Sequence, residues 1–148
     1  MKRILFVAAV AVAVAVWFVQ AGLSAWAQGS EEAAVRQALD AYIAGHATGD
    51  GAHFRRAFHP EAKLFWIRNG QLATRTSEEY IAGAAGKPAD DEAQRKRRIA
   101  NVDISGNAAV AKVELDYPSV RFTDYMSLLK IDGQWKIVNK TFYALPKS

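Results

Sequence analysis

Hydrophobic and polar positions fall into three successive patterns along the chain. From Ile4 to Val19 the residues are apolar without a break, preceded by Lys2 and Arg3 and followed by Ala25-Trp26-Ala27. A basic start, an apolar run and a small-x-small site together predict an export signal cleaved after Ala27. Residues 1–27 are therefore expected to leave a mature domain of residues 28–148 that is periplasmic or secreted. A retained anchor is the alternative, since about 20 apolar residues can span a bilayer. No basic stop-transfer cluster follows the run, so no stable membrane insertion is expected after processing.

The second pattern has helical period. Ser30 can cap a helix with Glu31 and Glu32 in its first turn, and Val35, Ala38, Leu39, Tyr42 and Ile43 then mark one buried face that His46 extends. Gly45, Gly49 and Gly51 predict its end, and Phe54, Ala57 and Phe58 a second short helix closed by Pro60. The third pattern begins at Lys63. Leu64 to Ile67 is β-prone, Asn69-Gly70 is a hairpin turn and Gln71 to Thr76 its return strand. Ser77 with Glu78 and Glu79 opens another helix, with Tyr80, Ile81, Ala84 and Ala85 on one face, stopped by Gly86 to Pro88. Strands follow: Arg95 to Ser105; a run in which Ala109, Ala111, Val113, Leu115 and Tyr117 alternate with Val110, Lys112, Glu114 and Asp116; then Val120 to Ile131 and Gln134 to Tyr143 around the turn Asp132-Gly133. Helices, a hairpin, a helix and consecutive strands predict an α+β domain whose antiparallel sheet twists and curls around the N-terminal helices to enclose a pocket.

Composition narrows the function. The sequence has no cysteine, which excludes thiol chemistry, cysteine-ligated metals and disulfides and leaves stability to packing. Setting aside Lys2 and Arg3 from the 19 basic residues leaves 17 against 15 acidic ones, too mild an excess to predict nucleic acid as a partner. The basic run Arg95 to Arg98 is offset by Asp90, Asp91 and Glu92 just upstream.

The helical start, the turn Phe58-His59-Pro60-Glu61-Ala62, Arg98-Ile99 leading into the segment Val102 to Ala111, and above all the stretch from Phe122 to Lys140 resemble the lumazine-binding branch of the nuclear transport factor 2-like superfamily, which includes the polyketide-cyclase-like proteins. That resemblance covers Ser30 to Tyr143. It implies a cone of curved sheet around helices, open at one end, and a homodimer packed through the sheet. It implies no single function, because the superfamily holds isomerases, dehydratases, hydrolases, cyclases and binding modules alike.

Candidate chemistry lies in polar groups on apolar faces. Asp124 alternates with Phe122, Met126 and Leu128, which suits a carboxylate to proton transfer. His59 is the second catalytic candidate, although a histidine before proline at such a turn more often has a structural role. Tyr117, Arg98, Trp66 and Tyr42 are the ligand-binding candidates: Tyr117 shares a face with Leu115 and Val113, Arg98 with Val102 and Ile104, Trp66 can stack on a flat ring, and Tyr42 sits on the buried helix face. His46, His53 and His59 show no metal-ligand spacing, and no phosphate or dinucleotide fingerprint occurs, so neither metal nor cofactor is expected. The expected ligand is a small hydrophobic or aromatic molecule, bound by a non-catalytic domain or turned over by a cofactor-independent lyase or isomerase in the same pocket. A dimeric interaction module is the remaining reading.

Overall fold

A computed structural model describes residues 29–147. The predicted export signal and its cleavage point after Ala27 lie outside the described residues. The chain divides into the units Met1–Ala33 and Ala34–Ser148, and the architecture below is that of the second. Among the described residues, no helix is long and apolar enough to cross a membrane.

Within this unit, helix α1 takes residues 34–48 and buries Val35, Ala38, Leu39 and Tyr42, the face its period predicts. It passes through Gly45 rather than ending there. The reason is steric: a Cβ on Gly45 would lie 2.5 Å from the Phe54 ring, so the missing side chain lets helix α2 (Gly51–Ala57) pack against α1. Between them Gly49 takes φ +70° and exposes its backbone to Lys87, while Asp50 caps α2 by accepting from the Ala52 N–H at 2.8 Å.

Strands β1 (Phe58–Arg68) and β2 (Gln71–Thr76) form the predicted hairpin across Asn69 and Gly70, both at positive φ. The first begins earlier than its composition suggests, taking in Pro60 where the register against the neighbouring strand is irregular. Helix α3 (Ser77–Ala82) is capped by Thr76, one residue before the expected start, in a box with Glu79. That leaves the Ser77 hydroxyl to donate to the His59 and Pro60 carbonyl oxygens at 3.1 and 2.8 Å. A 3-10 turn (Glu92–Gln94) leads into β3 (Lys96–Ser105), β4 (Ala108–Asp116), β5 (Val120–Ile131) and β6 (Gln134–Pro146).

The six strands form one curved, open sheet in the order β2-β1-β6-β5-β4-β3. Four pairings are antiparallel as expected. The join of β1 to β6 is parallel, because the hairpin returns to the sheet beside its last strand. Ala109, Ala111, Val113 and Leu115 of β4, Met126 and Leu128 of β5, and Trp135 and Ile137 of β6 are buried in a single core with the helices.

Candidate functional site

Alternation along β5 puts Asp124 on the inner face between Phe122 and Met126, and the residue is fully buried. A carboxylate there requires partners. One comes from the neighbouring strand. Strict alternation after Trp135 and Ile137 would turn Lys140 outward, but the β5–β6 register shifts at Ser127/Leu128, where Val138 is the extra residue on β6. That bulge turns Lys140 inward. Its cross-strand partner is Met126, which makes Asp124 its diagonal neighbour.

Lys140 Nζ donates to Asp124 Oδ2 at 3.2 Å and to the Tyr42 hydroxyl at 2.8 Å, and Tyr42 donates to the same Oδ2 at 2.6 Å. The carboxylate thus has one oxygen held twice by charge-assisted or short hydrogen bonds. Its other oxygen, Oδ1, is buried with no hydrogen-bond partner among the described residues. The Tyr80 hydroxyl lies 3.5 Å from that of Tyr42 and 2.8 Å from His46 Nε2, which extends the cluster to a cleft of about 660 Å³. His46 and Tyr80 line that cleft with Gly45, Phe54, Arg75 and Arg95.

A row of rings continues from the cluster. Lys140 Nζ lies 4.7 Å from the Phe142 ring centre, Trp66 stacks on Phe142 at 5.3 Å, and Phe122 joins Phe142 at 6.2 Å and Tyr117 at 5.9 Å. Arg75 lies over Trp66 at one end and Arg95 over Tyr117 at the other, both facing the cleft.

Burial governs the electrostatics. It pulls the Lys140 ammonium below the usual lysine range, with the Asp124 charge pulling the other way. It pushes the Tyr42 phenol well above its usual range, aided by Asp124, and raises Tyr80 as well. His46 is lowered to about 3 by burial, then by the Lys140, Arg97 and Arg95 charges, so its imidazole is neutral at pH 7. A neutral ring is what a phenol can donate to.

The predicted site residues separate into two groups. Asp124 and Tyr42 are joined directly, and Tyr117 and Trp66 belong to the ring row. Arg98 and His59 stand elsewhere. The alternation expected through Arg98, Val102 and Ile104 is broken by a register shift between Ile99 and Asn101, so Arg98 faces outward and pairs with Glu114. Arg97 takes the inner face instead: it donates to Tyr117 at 3.2 Å and to the His46 carbonyl oxygen at 3.3 Å and is clamped by Glu92. His59 Nδ1 accepts from the Glu61 N–H within its own turn, and the residue lines a separate depression with Ser77 and Ile81. Sequence reasoning missed Lys140, Arg97 and Tyr80 as site residues, and weighed His46 only as part of the helix stripe and as a metal ligand without the right spacing. Among the described residues, no group of three or more His, Cys, Asp or Glu could hold a metal ion.

A curved open sheet over helices is the architecture of the nuclear transport factor 2-like class. Residues 30–143 match the family described as "Putative lumazine-binding", and the chain belongs to that family. A solved NTF2-like protein of unknown function from Shewanella baltica is 29% identical, with 80% of this chain and 96% of that one covered and a TM-score of 0.72. Another, from Silicibacter pomeroyi, is 25% identical over 80% and 98% of the two chains, with a TM-score of 0.69. The aldolase FrzH of Cladobotryum sp is 27% identical over 126 residues, covering 80% of this chain and 94% of that protein.

Proposed function

We propose that the chain is an exported, cofactor-independent enzyme that binds a small, largely apolar carbonyl compound and moves a proton next to its carbonyl group. Asp124 carries this reading: a fully buried carboxylate whose Oδ2 is fixed by Tyr42 and Lys140 while Oδ1 has no partner among the described residues. Such a group costs stability and is oriented as a base is. The similarity to a protein named as an aldolase supports it, since aldol chemistry starts from a carbonyl compound with an adjacent C–H.

In the proposed step Oδ1 accepts the proton α to the carbonyl, and the electron pair of the broken C–H bond moves onto the carbonyl oxygen as an enolate. The Lys140 ammonium, with one N–H not taken by Tyr42 or Asp124, is the donor available to that oxygen. The flat body of the ligand lies along Trp66, Phe142 and Phe122, with Arg75 and Arg95 at the ends of the row. Incubating the protein with small ketones such as cyclohexanone and acetophenone in heavy water, and following α-hydrogen exchange by NMR, tests this. Exchange above the buffer rate is expected, reduced about 100-fold or more in Asp124→Asn. Binding of the same ketones without exchange would instead support a non-catalytic binding domain.

Two more expectations belong to the proposal. Export requires cleavage near Ala27, so N-terminal sequencing of the secreted form should begin close to Gln28. A homodimer through the outer sheet face is supported by exposed Val110, Tyr125, Leu129, Tyr143 and Leu145. Sedimentation should then give twice the chain mass.

A further inference from the structure

We infer that Lys140 is a covalent nucleophile, forming an imine with the aldehyde or ketone that the cleft admits. The inference rests on the carbonyl-compound reading above but goes beyond it, since proton transfer by Asp124 requires no covalent bond.

The placement of Lys140 carries it. A lysine whose work is solubility or a surface ion pair lies with its amine in water, as Lys87 does with Asp90. Lys140 is turned inward by a bulge and leaves only 5% of its side chain exposed. Two of its three N–H groups have acceptors, Tyr42 and Asp124 Oδ2. Nζ also lies 5.2 and 4.7 Å from the ring centres of Tyr80 and Phe142. Tyr80 lines the cleft, and Phe142 leads to it through Trp66 and Arg75. The amine therefore stands beside the middle of the ring row, at Phe142, next to a carboxylate and with Tyr80 between it and the cleft. Burial also favours the neutral, nucleophilic amine over the ammonium.

The chemistry balances within the cluster. Lys140 gives its proton to Asp124 Oδ2, 3.2 Å away, and the freed pair on Nζ attacks the carbonyl carbon. The carbonyl π pair moves to oxygen, and proton transfer from nitrogen to oxygen gives a neutral carbinolamine. Asp124 returns its proton to the hydroxyl, which leaves as water while the nitrogen pair forms the C=N bond of an iminium. The Asp124 carboxylate then takes the α-proton, and the C–H pair flows toward nitrogen to give an enamine. Water reverses the sequence and restores the lysine. No oxidant or reductant is consumed. The matching ligand class is an aldehyde or ketone that bears an α C–H on a flat apolar frame.

The test is reductive trapping on the intact wild-type protein. 3-Phenylpropanal is added with cyanoborohydride at pH 7, and modified lysines are located by peptide mass spectrometry. Lys140 is expected to be labelled in preference to exposed Lys63, Lys87 and Lys96, because its amine stands next to a proton acceptor in a site where burial favours the neutral form. Denatured protein treated alike shows that the Lys140 peptide is detectable and removes the preference. Labelling of exposed lysines with Lys140 unmodified would overturn the inference. If native Lys140 stays unmodified while ketone exchange in heavy water persists, the imine falls and the acid/base reading stands. If Lys140 is trapped and exchange is absent, the imine stands and the base role of Asp124 falls.

Discussion

Lys140 compensates the charge of Asp124, and neither can be changed without exposing the other to an apolar interior. Each taken alone would be costly to bury. Lys140→Met should therefore lower stability by about 3 to 5 kcal/mol in urea unfolding, the usual effect of leaving a buried carboxylate without its cation. A loss below about 1 kcal/mol, typical of exposed pairs, would mean that the ion pair is effectively solvated. His46 makes a separate contribution that depends on pH. Its imidazole is held at about 3 in the fold against 6.5 when unperturbed, so the unfolded chain binds the proton first as pH falls. The stability from neutral His46 is complete above pH 6.5 and is lost as pH falls toward 3. Other acid-labile groups, Glu92, Glu114 and Asp116, are carboxylates lowered by their cationic or hydrogen-bonding neighbours and act further down the scale. Between pH 7 and 5, wild-type protein should thus lose melting temperature while His46→Gln, which can still accept from Tyr80, should hold its own nearly constant. Parallel curves would show that His46 is not held neutral by the fold.

Elements whose turns carry positive φ were legible from composition. Asn69-Gly70 and Asp132-Gly133 both adopt the left-handed region that hairpins require, and β4 buries its alternate residues as its pattern says. Two bulges were not legible, and they decide the site. One sends Arg97 inward and Arg98 outward, and the other sends Lys140 inward. A signal does exist in the apolar spacing: Ile99 to Val102 is three residues where a flat strand needs an even number, and Ile137 to Phe142 is five. Period counting over a whole strand averages such a step away. His46 and Tyr80 were hidden for another reason, because their partners come from elements distant in sequence. The α1–α2 connection offers a direct test of element packing. Gly49 has φ +70°, and a Cβ there would lie 2.1 Å from the Lys87 carbonyl oxygen. Gly49→Ala should cost about 1 to 3 kcal/mol from backbone strain alone, with more from the clash. An unchanged melting temperature would show that the Gly49 turn does not hold the loop around Lys87.

Across the domain, the polar cluster takes one or two residues from each of several elements: Tyr42 and His46 from α1, Tyr80 from α3, Arg97 from β3, Asp124 from β5 and Lys140 from β6. Packing alone does not call for such a set, since apolar residues of similar size would fill the same interior at lower electrostatic cost. Retention of the charges is explained if they serve a ligand. The double variant Asp124→Asn/Lys140→Met separates stability from function in one protein, because it removes both charges together and keeps the volume. The measurement is its unfolding free energy alongside α-hydrogen exchange of cyclohexanone in heavy water. The account predicts stability equal to or above wild type with exchange reduced to the buffer rate. A variant that unfolds several kcal/mol more easily while still exchanging the ketone would contradict it, and would make the buried pair a structural brace.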